Sequence, residues 1–227
     1  MDLQAHYTQL WEQAQQEFAT GNFALDPLLD SPHDTRRGIT LLARPNAAVK
    51  REVQDLLRHL AQVEPDQYYY PASDMHLTVL SIISCYPGFS LEHIRPAAYA
   101  ELIEKALRSI APFKVVYSGI TASPSCVLVQ GYPVGPALEL LRDNVRKAFR
   151  ASGLQQSIDE RYTLQTAHST VVRFRAPLKR PTAFLQKLRE CRKREFGTST
   201  VHTLELVYHD WYQRQANTQL LATFPLG

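Results

Sequence analysis

The chain has 227 residues, 44% of them hydrophobic and 21% charged, with a net charge of only +3 at neutral pH. That is enough apolar sequence for a sizeable core, too much for a disordered chain, and too little net charge for a protein that coats nucleic acid over its whole surface. Three cysteines, Cys85, Cys126 and Cys191, form no close-spaced pair, so neither a disulfide framework nor a Cys-based zinc site is expected. No basic and apolar leader opens the sequence and no run reaches membrane-spanning length, which makes a cytoplasmic protein without membrane contact the expectation.

Leu3, Tyr7, Leu10, Trp11, Ala14 and Phe18 recur at helical spacing over residues 2–19, and Gly21-Asn22 stops the pattern. A connector rich in Pro and Asp follows to Thr35, so residues 1–37 read as an arm ahead of a main domain at 38–227. Residues 38–43 form a strand pattern, and Asn46 can cap a helix lined by Val49, Val53, Leu56, Leu57 and Leu60. A link through Pro65 and Pro71 leads to a strand at 75–83 that contains His76. A helix near 97–110 and a strand near 113–121 come next.

The pattern then restarts. Residues 126–129 read as a strand, and Pro136 suits the first turn of a helix lined by Leu138, Leu141, Val145, Ala148 and Phe149. A link containing Gly153 leads to a strand at 166–174 that contains His168. A helix near 181–196, a strand near 200–208 and a closing strand at 219–224 complete the chain. Strand, helix, His-strand, helix, strand, met twice, reads as an internal duplication with two similar lobes and a cleft between them.

Each of the two strands carries the same short motif, His76-Leu77-Thr78-Val79 and His168-Ser169-Thr170-Val171, 92 positions apart. The triplet H-x-T also occurs at His6 and His33. Chance alone would supply about half of one, so context has to separate them. His6 lies in helical sequence, where the residue two further on turns to another side, and His33 lies in a loop-like run after Ser31-Pro32. Only His76 and His168 sit in strand sequence, where imidazole and hydroxyl share a face. Ser169, between them in its motif, is expected to point away into its lobe.

Two imidazoles, each with a Thr beside it, suit phosphoester chemistry without a metal. One neutral ring takes a proton and one charged ring gives a proton. The hydroxyls of Thr78 and Thr170 can hydrogen-bond the non-bridging phosphoryl oxygens as charge develops. No H-E-x-x-H or Cys cluster suggests a metal or other cofactor.

On these paired motifs and the duplicated element order, from about Gly38 to Leu226, the chain resembles the 2H phosphoesterase superfamily. That superfamily includes the bacterial RNA 2′,5′-ligases and the 2′,3′-cyclic nucleotide phosphodiesterases. The resemblance implies an α+β fold of two pseudo-twofold-related lobes, each an antiparallel sheet backed by helices, with the active site between them and the N-terminal helix as an addition. It implies His76 and His168 as catalytic residues, Thr78 and Thr170 as phosphate-binding residues, and no metal. The implied reaction is hydrolysis, or reversible joining, of a phosphodiester at a ribose 2′-oxygen, with a nucleotide or short RNA as substrate. A monomer is the favoured state, apart from the resemblance.

Tyr69, Tyr70 and Tyr162 precede the motifs and are candidates for stacking on a base. Arg36 and Arg37, ahead of the first strand, are candidates for gripping a phosphate. The basic run from Arg173 to Arg194 reads either as a solvated helix face or as a phosphate-attracting surface. Among the other histidines, His209 is the one to watch for a place in the pocket. The rival reading from another class is a non-catalytic nucleotide- or RNA-binding module with the same fold.

Overall fold

The computed structural model describes residues 2–227. In α1 (Leu3–Ala19) the Asp2 side chain accepts from the Gln4 amide at 2.9 Å, and Tyr7, Trp11, Ala14 and Phe18 are buried along one stripe. β1 (Arg36–Ala43) leads to α2 (Ala47–Val63), whose cap Asn46 accepts from the Val49 amide. The short β2 (Tyr68–Tyr69) and then β3 (Leu77–Pro87) follow, with His76 just ahead of β3. α3 (Pro96–Leu107) and β4 (Phe113–Ser123) complete the first unit.

β5 (Cys126–Pro133), α4 (Ala137–Ser152) and β6 (Ser169–Arg173) open the second unit. Gly153 ends α4 in the left-handed region, at φ 69°, where a side chain would be strained. α5 (Pro181–Glu190), β7 (Glu195–Val201), β8 (Thr203–Asp210) and β9 (Gln219–Pro225) follow. Among the described residues no helix is long and apolar enough to cross a membrane.

The strands form two antiparallel sheets, ordered β3-β1-β8-β9 and β2-β6-β5-β4-β7. This is the expected α+β arrangement of two helix-backed sheets, but the lobes are not simply the two halves of the chain. Only Pro124 and Ser125 separate β4 from β5, so β4 pairs with β5 in the second sheet. A single residue, His202, separates β7 from β8 and leaves no room for a hairpin, so the chain passes there from the second sheet to the first. α3 and α4 lie together on the side of the first sheet, α2 packs on the second, and α5 packs against α2 and α1.

Several expected elements are different. Both histidine strands begin just after their histidines, at Leu77 and Ser169, and the strand near 200–208 divides at His202 into β7 and β8. The helix near 181–196 stops at Glu190, because the chain turns at Cys191 to Arg194 and then extends as β7. Gly197, at φ 101°, and the β-branched Thr198, Thr200 and Val201 favour a strand over a fourth helical turn. α1 packs on β4, and Phe18 and Phe23 join Phe174, the residue after β6, in one aromatic cluster.

Candidate active site

The two motif strands meet where the sheets face each other. The Ser169 hydroxyl donates to the His76 carbonyl oxygen at 2.7 Å. Ser169 does point away from the cleft, yet it bridges the lobes rather than filling its own. Arg142, buried on α4, adds a second link. Its Nε donates to the Val79 carbonyl at 2.8 Å, and its guanidinium also donates to the carbonyls of Thr166 at 2.7 Å and Thr78 at 3.2 Å. One side chain therefore ties the backbone of both histidine strands, and burial lowers its own pKa to about 10.

A third tie comes from the N-terminal helix. The Tyr7 hydroxyl donates to the Gly131 carbonyl and accepts from the Ala167 amide, each at 3.2 Å, immediately before His168. Glycine is required at 131, since a Cβ there would meet the Ala167 carbonyl oxygen at 1.9 Å.

A cavity of about 590 Å³ opens at this junction, and His76, His168, Thr78 and Thr170 all line it. The Nδ1 of His76 lies 2.7 Å from the Asp74 carbonyl oxygen. A carbonyl only accepts, so Nδ1 carries the hydrogen, and Nε2 is left as the free nitrogen. The Nδ1 of His168 lies 2.7 Å from the Thr166 hydroxyl, a partner that can both donate and accept. Burial pushes His76 down to about 3, against the raising effect of the Asp74 carbonyl. Burial also pushes His168 down to about 4, and the Arg142 and Arg173 charges act in the same direction. Both rings are therefore neutral at pH 7 while the cavity holds no anion.

Arg173 lines the same cavity. Its Nε donates to the Tyr70 hydroxyl at 3.0 Å, so its polar contact is a phenol and its positive charge is not spent on a carboxylate. Tyr162 also lines the cavity and is 64% exposed, with a ring free to meet a ligand. Tyr70 lines it too, but it is buried edge-on to Tyr68 and its hydroxyl holds Arg173.

Three expected residues are not brought to the cavity. Tyr69 turns its hydroxyl to the Glu64 carbonyl at 2.7 Å. Arg36 is bound through two nitrogens to the Asp34 carboxylate and lies over the Trp211 ring, with Asp26 also nearby. Arg37 donates to the carbonyls of Asp34 and Arg36. Both arginines thus serve the connector ahead of β1.

Within the basic run, Arg173 alone lines this cavity. Arg175 pairs with Asp30, Lys179 with Asp66, Lys187 with Glu190, and Arg194 with Glu52 and Asp55. Arg192 lies over the Trp11 ring and donates to the Ile120 carbonyl. His209 does not line this cavity but lines a smaller one beside it, with both ring nitrogens engaged, by the Asp210 carbonyl at 2.6 Å and the Thr40 hydroxyl at 2.7 Å.

Several cavity and junction residues were not anticipated. Arg142 had a legible signal, because it falls between Leu138 and Val145 on the apolar stripe of its helix, where an unpaired charge is costly. Thr166 shares a face with His168, two residues on. His6 and Leu10 reach the cavity from α1, and Trp211 and Gln213 from the loop after β8. Those four become visible only once distant segments are packed together.

No family model matches the chain, and no curated protein matches it. Solved structures do. The structure of Escherichia coli LigT complexed with 3′-AMP is 14% identical with a TM-score of 0.56, covering 84% of this chain and 98% of that one. TT0787 of Thermus thermophilus is 17% identical with a TM-score of 0.55, covering 83% and 97%. A conserved protein of unknown function from Agrobacterium tumefaciens is 13% identical with a TM-score of 0.56, covering 91% and 98%. At these identities the likeness is one of fold.

Proposed function

We propose that this chain, which has the LigT-like fold of the 2H phosphoesterases, cleaves or reversibly joins a phosphodiester at a ribose 2′-oxygen. The substrate would be a 2′,3′-cyclic phosphate or a 2′–5′ linkage in a nucleotide or short RNA, and the two histidines would serve as general base and general acid. The observation that carries this reading is the convergence of both H-x-T motifs on one cavity, each with its Nδ1 anchored, beside an arginine without a carboxylate partner. Structures of LigT with 3′-AMP and with ATP support a nucleotide ligand for this fold.

The hydrogen bonds suggest how the roles divide. The Asp74 carbonyl fixes His76 in the form whose Nε2 lone pair is free, which suits the base. The Thr166 hydroxyl can serve His168 as donor when the ring is neutral and as acceptor when it is charged, which suits the residue that holds and releases the proton. Thr78, Thr170 and Arg173 would then hold the non-bridging oxygens, where hydrogen bonds strengthen as negative charge builds. A pure binding module would have no use for two anchored proton-transfer groups.

The reading is tested with a panel of 2′,3′-cyclic mononucleotides and 2′–5′ and 3′–5′ dinucleotides in EDTA, with products identified by mass. Turnover confined to 2′-linked or cyclic substrates is expected. Activity on 3′–5′ links alone, or activity abolished by EDTA and restored by a divalent ion, would contradict it. Thr78→Val or Thr170→Val should lower kcat by roughly 10–10³-fold, as expected for loss of one transition-state donor. An unchanged kcat in both variants would remove the hydroxyls from the mechanism.

Acidity gives a further test. With free imidazoles held down at about 3 and about 4, one ring must gain its proton as the anionic substrate arrives. The value of kcat/KM should therefore climb as pH is lowered from about 8 towards 5. The kcat profile belongs to the complex, where the phosphoryl charge raises the pair, and should be bell-shaped over roughly pH 5–8. A kcat/KM that rises towards pH 8 would mean that no imidazolium is needed.

A further inference from the structure

Gln213 lines both the cleft that holds the two histidines and a side cavity of about 170 Å³. The side cavity shares Thr78, Tyr162, Arg173, Trp211 and Gln213 with the cleft. Its volume admits on the order of ten waters, so a ring- or sugar-sized group can enter. Gln213 is only 8% exposed, and its Oε1 is buried without a hydrogen-bond partner, alone in this among the described side chains. A buried acceptor left unmet is costly and uncommon in a folded protein.

The backbone at this position is also unusual. Gln213 has φ 55°, a left-handed conformation that residues with a Cβ seldom adopt. It is held there by the buried Asp210 carboxylate, which accepts from the Tyr212 and Arg214 amides at 3.1 and 3.0 Å and from the Asn217 side chain at 2.9 Å. The Asp210 carbonyl accepts the Gln213 amide at 3.1 Å. Although burial opposes its charge, bonds from Asn217 and Arg214 hold the Asp210 carboxyl below the usual range, so the clamp stays ionised. The fold thus fixes a strained residue with an unmet acceptor beside the catalytic groups, a pairing found at ligand sites.

We propose that Gln213 reads the nucleoside part of the substrate, and that the side cavity is the subsite for that part. Its carboxamide oxygen accepts a hydrogen bond from an exocyclic amino group of the base or, in a 2′–5′ link or a ring-opened monophosphate, from the free ribose hydroxyl next to the phosphoryl group. The oxygen itself is buried and turned from the open cavity, and a half-turn about the last side-chain bond exchanges it with the nitrogen, so the acceptor faces the ligand without movement of the backbone. The inference rests on the nucleotide reading above, yet it is tested by binding and not by turnover.

Dissociation constants for inorganic phosphate, 2′-AMP and 3′-AMP are measured by calorimetry on wild type, Gln213→Met and Gln213→Glu. Gln213→Met keeps the length of the side chain and removes its polar end. It should weaken both nucleotides about tenfold relative to phosphate and leave the unliganded melting temperature unchanged or higher, since the lost group was unmet. Gln213→Glu keeps an acceptor, and the preference for nucleotide over phosphate should persist even if its charge weakens all three ligands.

2′-Deoxyadenosine 3′-monophosphate and purine riboside 3′-monophosphate locate the donor, because the analogue lacking it should no longer sense Gln213→Met. Wild type that binds nucleotides no more tightly than phosphate would overturn the subsite, as would a Met variant with unchanged nucleotide affinity. So would two analogues that both remain fully sensitive to the substitution. Wild type that binds nucleotides in this manner but cleaves no 2′-linked diester would leave the subsite standing and remove the catalytic reading instead.

Discussion

Replacing His76 or His168 by Ala should each lower turnover by roughly 10²–10⁴-fold, with the folded state preserved. Each ring presents Nε2 as its free nitrogen because Nδ1 is anchored, on the Asp74 carbonyl in one case and the Thr166 hydroxyl in the other. Removing the base leaves the attacking oxygen protonated, and removing the acid leaves the departing oxygen charged. Either loss disables the same transfer, so the double variant should cost far less than the product of the two single losses. The measurement is kcat for the two single variants and the double variant on whichever substrate the panel identifies, with circular dichroism as the check on folding. Near-full activity in either single variant would end the two-histidine mechanism.

Arg142→Met should be costly in a different manner. The side chain is 4% exposed and donates to three backbone carbonyls, those of Thr78, Val79 and Thr166. Methionine fills much of the same space but donates nothing. The loss should be about 3 kcal/mol of unfolding free energy, on the order of 1 kcal/mol for each acceptor left without its donor. Since two of those carbonyls belong to the first motif strand and one precedes His168, the two imidazoles should also lose their spacing. A shift of about 1 Å can lower kcat on the order of 10²-fold. Urea unfolding and kcat at a temperature where the variant remains folded would check both effects. Stability and turnover both equal to wild type would mean that Arg142 is a passenger in the junction.

The two strands that follow His76 and His168 were legible because a period of two and the pairing of imidazole with hydroxyl are local properties, and the same pattern occurs twice, although both histidines stand just ahead of their strands. The helices at Leu3–Ala19 and Ala47–Val63 were legible through their caps and apolar stripes. What local pattern could not carry was the partnership between segments. That β4 joins the second sheet follows from a tight hairpin at Pro124-Ser125, and that the chain changes sheets at His202 follows from the absence of one.

The basic run shows the same limit. Its charges are conspicuous in one dimension, but Asp30, Glu52, Asp55 and Asp66 come from distant positions to pair with its members. Arg36 is equally conspicuous and equally taken, by the nearby Asp34. Arg173 looked like one cation among many and is the member that enters the cleft. The helical spacing at His6 gave no reason to place it beside His168, because the contact depends on α1 lying along β4 and on Tyr7 reaching the Ala167 amide.

Nitrogen NMR of the two imidazoles, titrated from pH 8 to 4 with and without bound 3′-AMP, tests the acid–base assignment most directly. Both rings should be neutral at pH 7 in the free protein, with His76 protonated on Nδ1. In the complex one ring, His168 on the present assignment, should become an imidazolium that persists to near-neutral pH, because the bound phosphoryl charge raises it from about 4. Two rings that stay neutral in the complex throughout this range, or a free His76 that carries its hydrogen on Nε2, would contradict the mechanism.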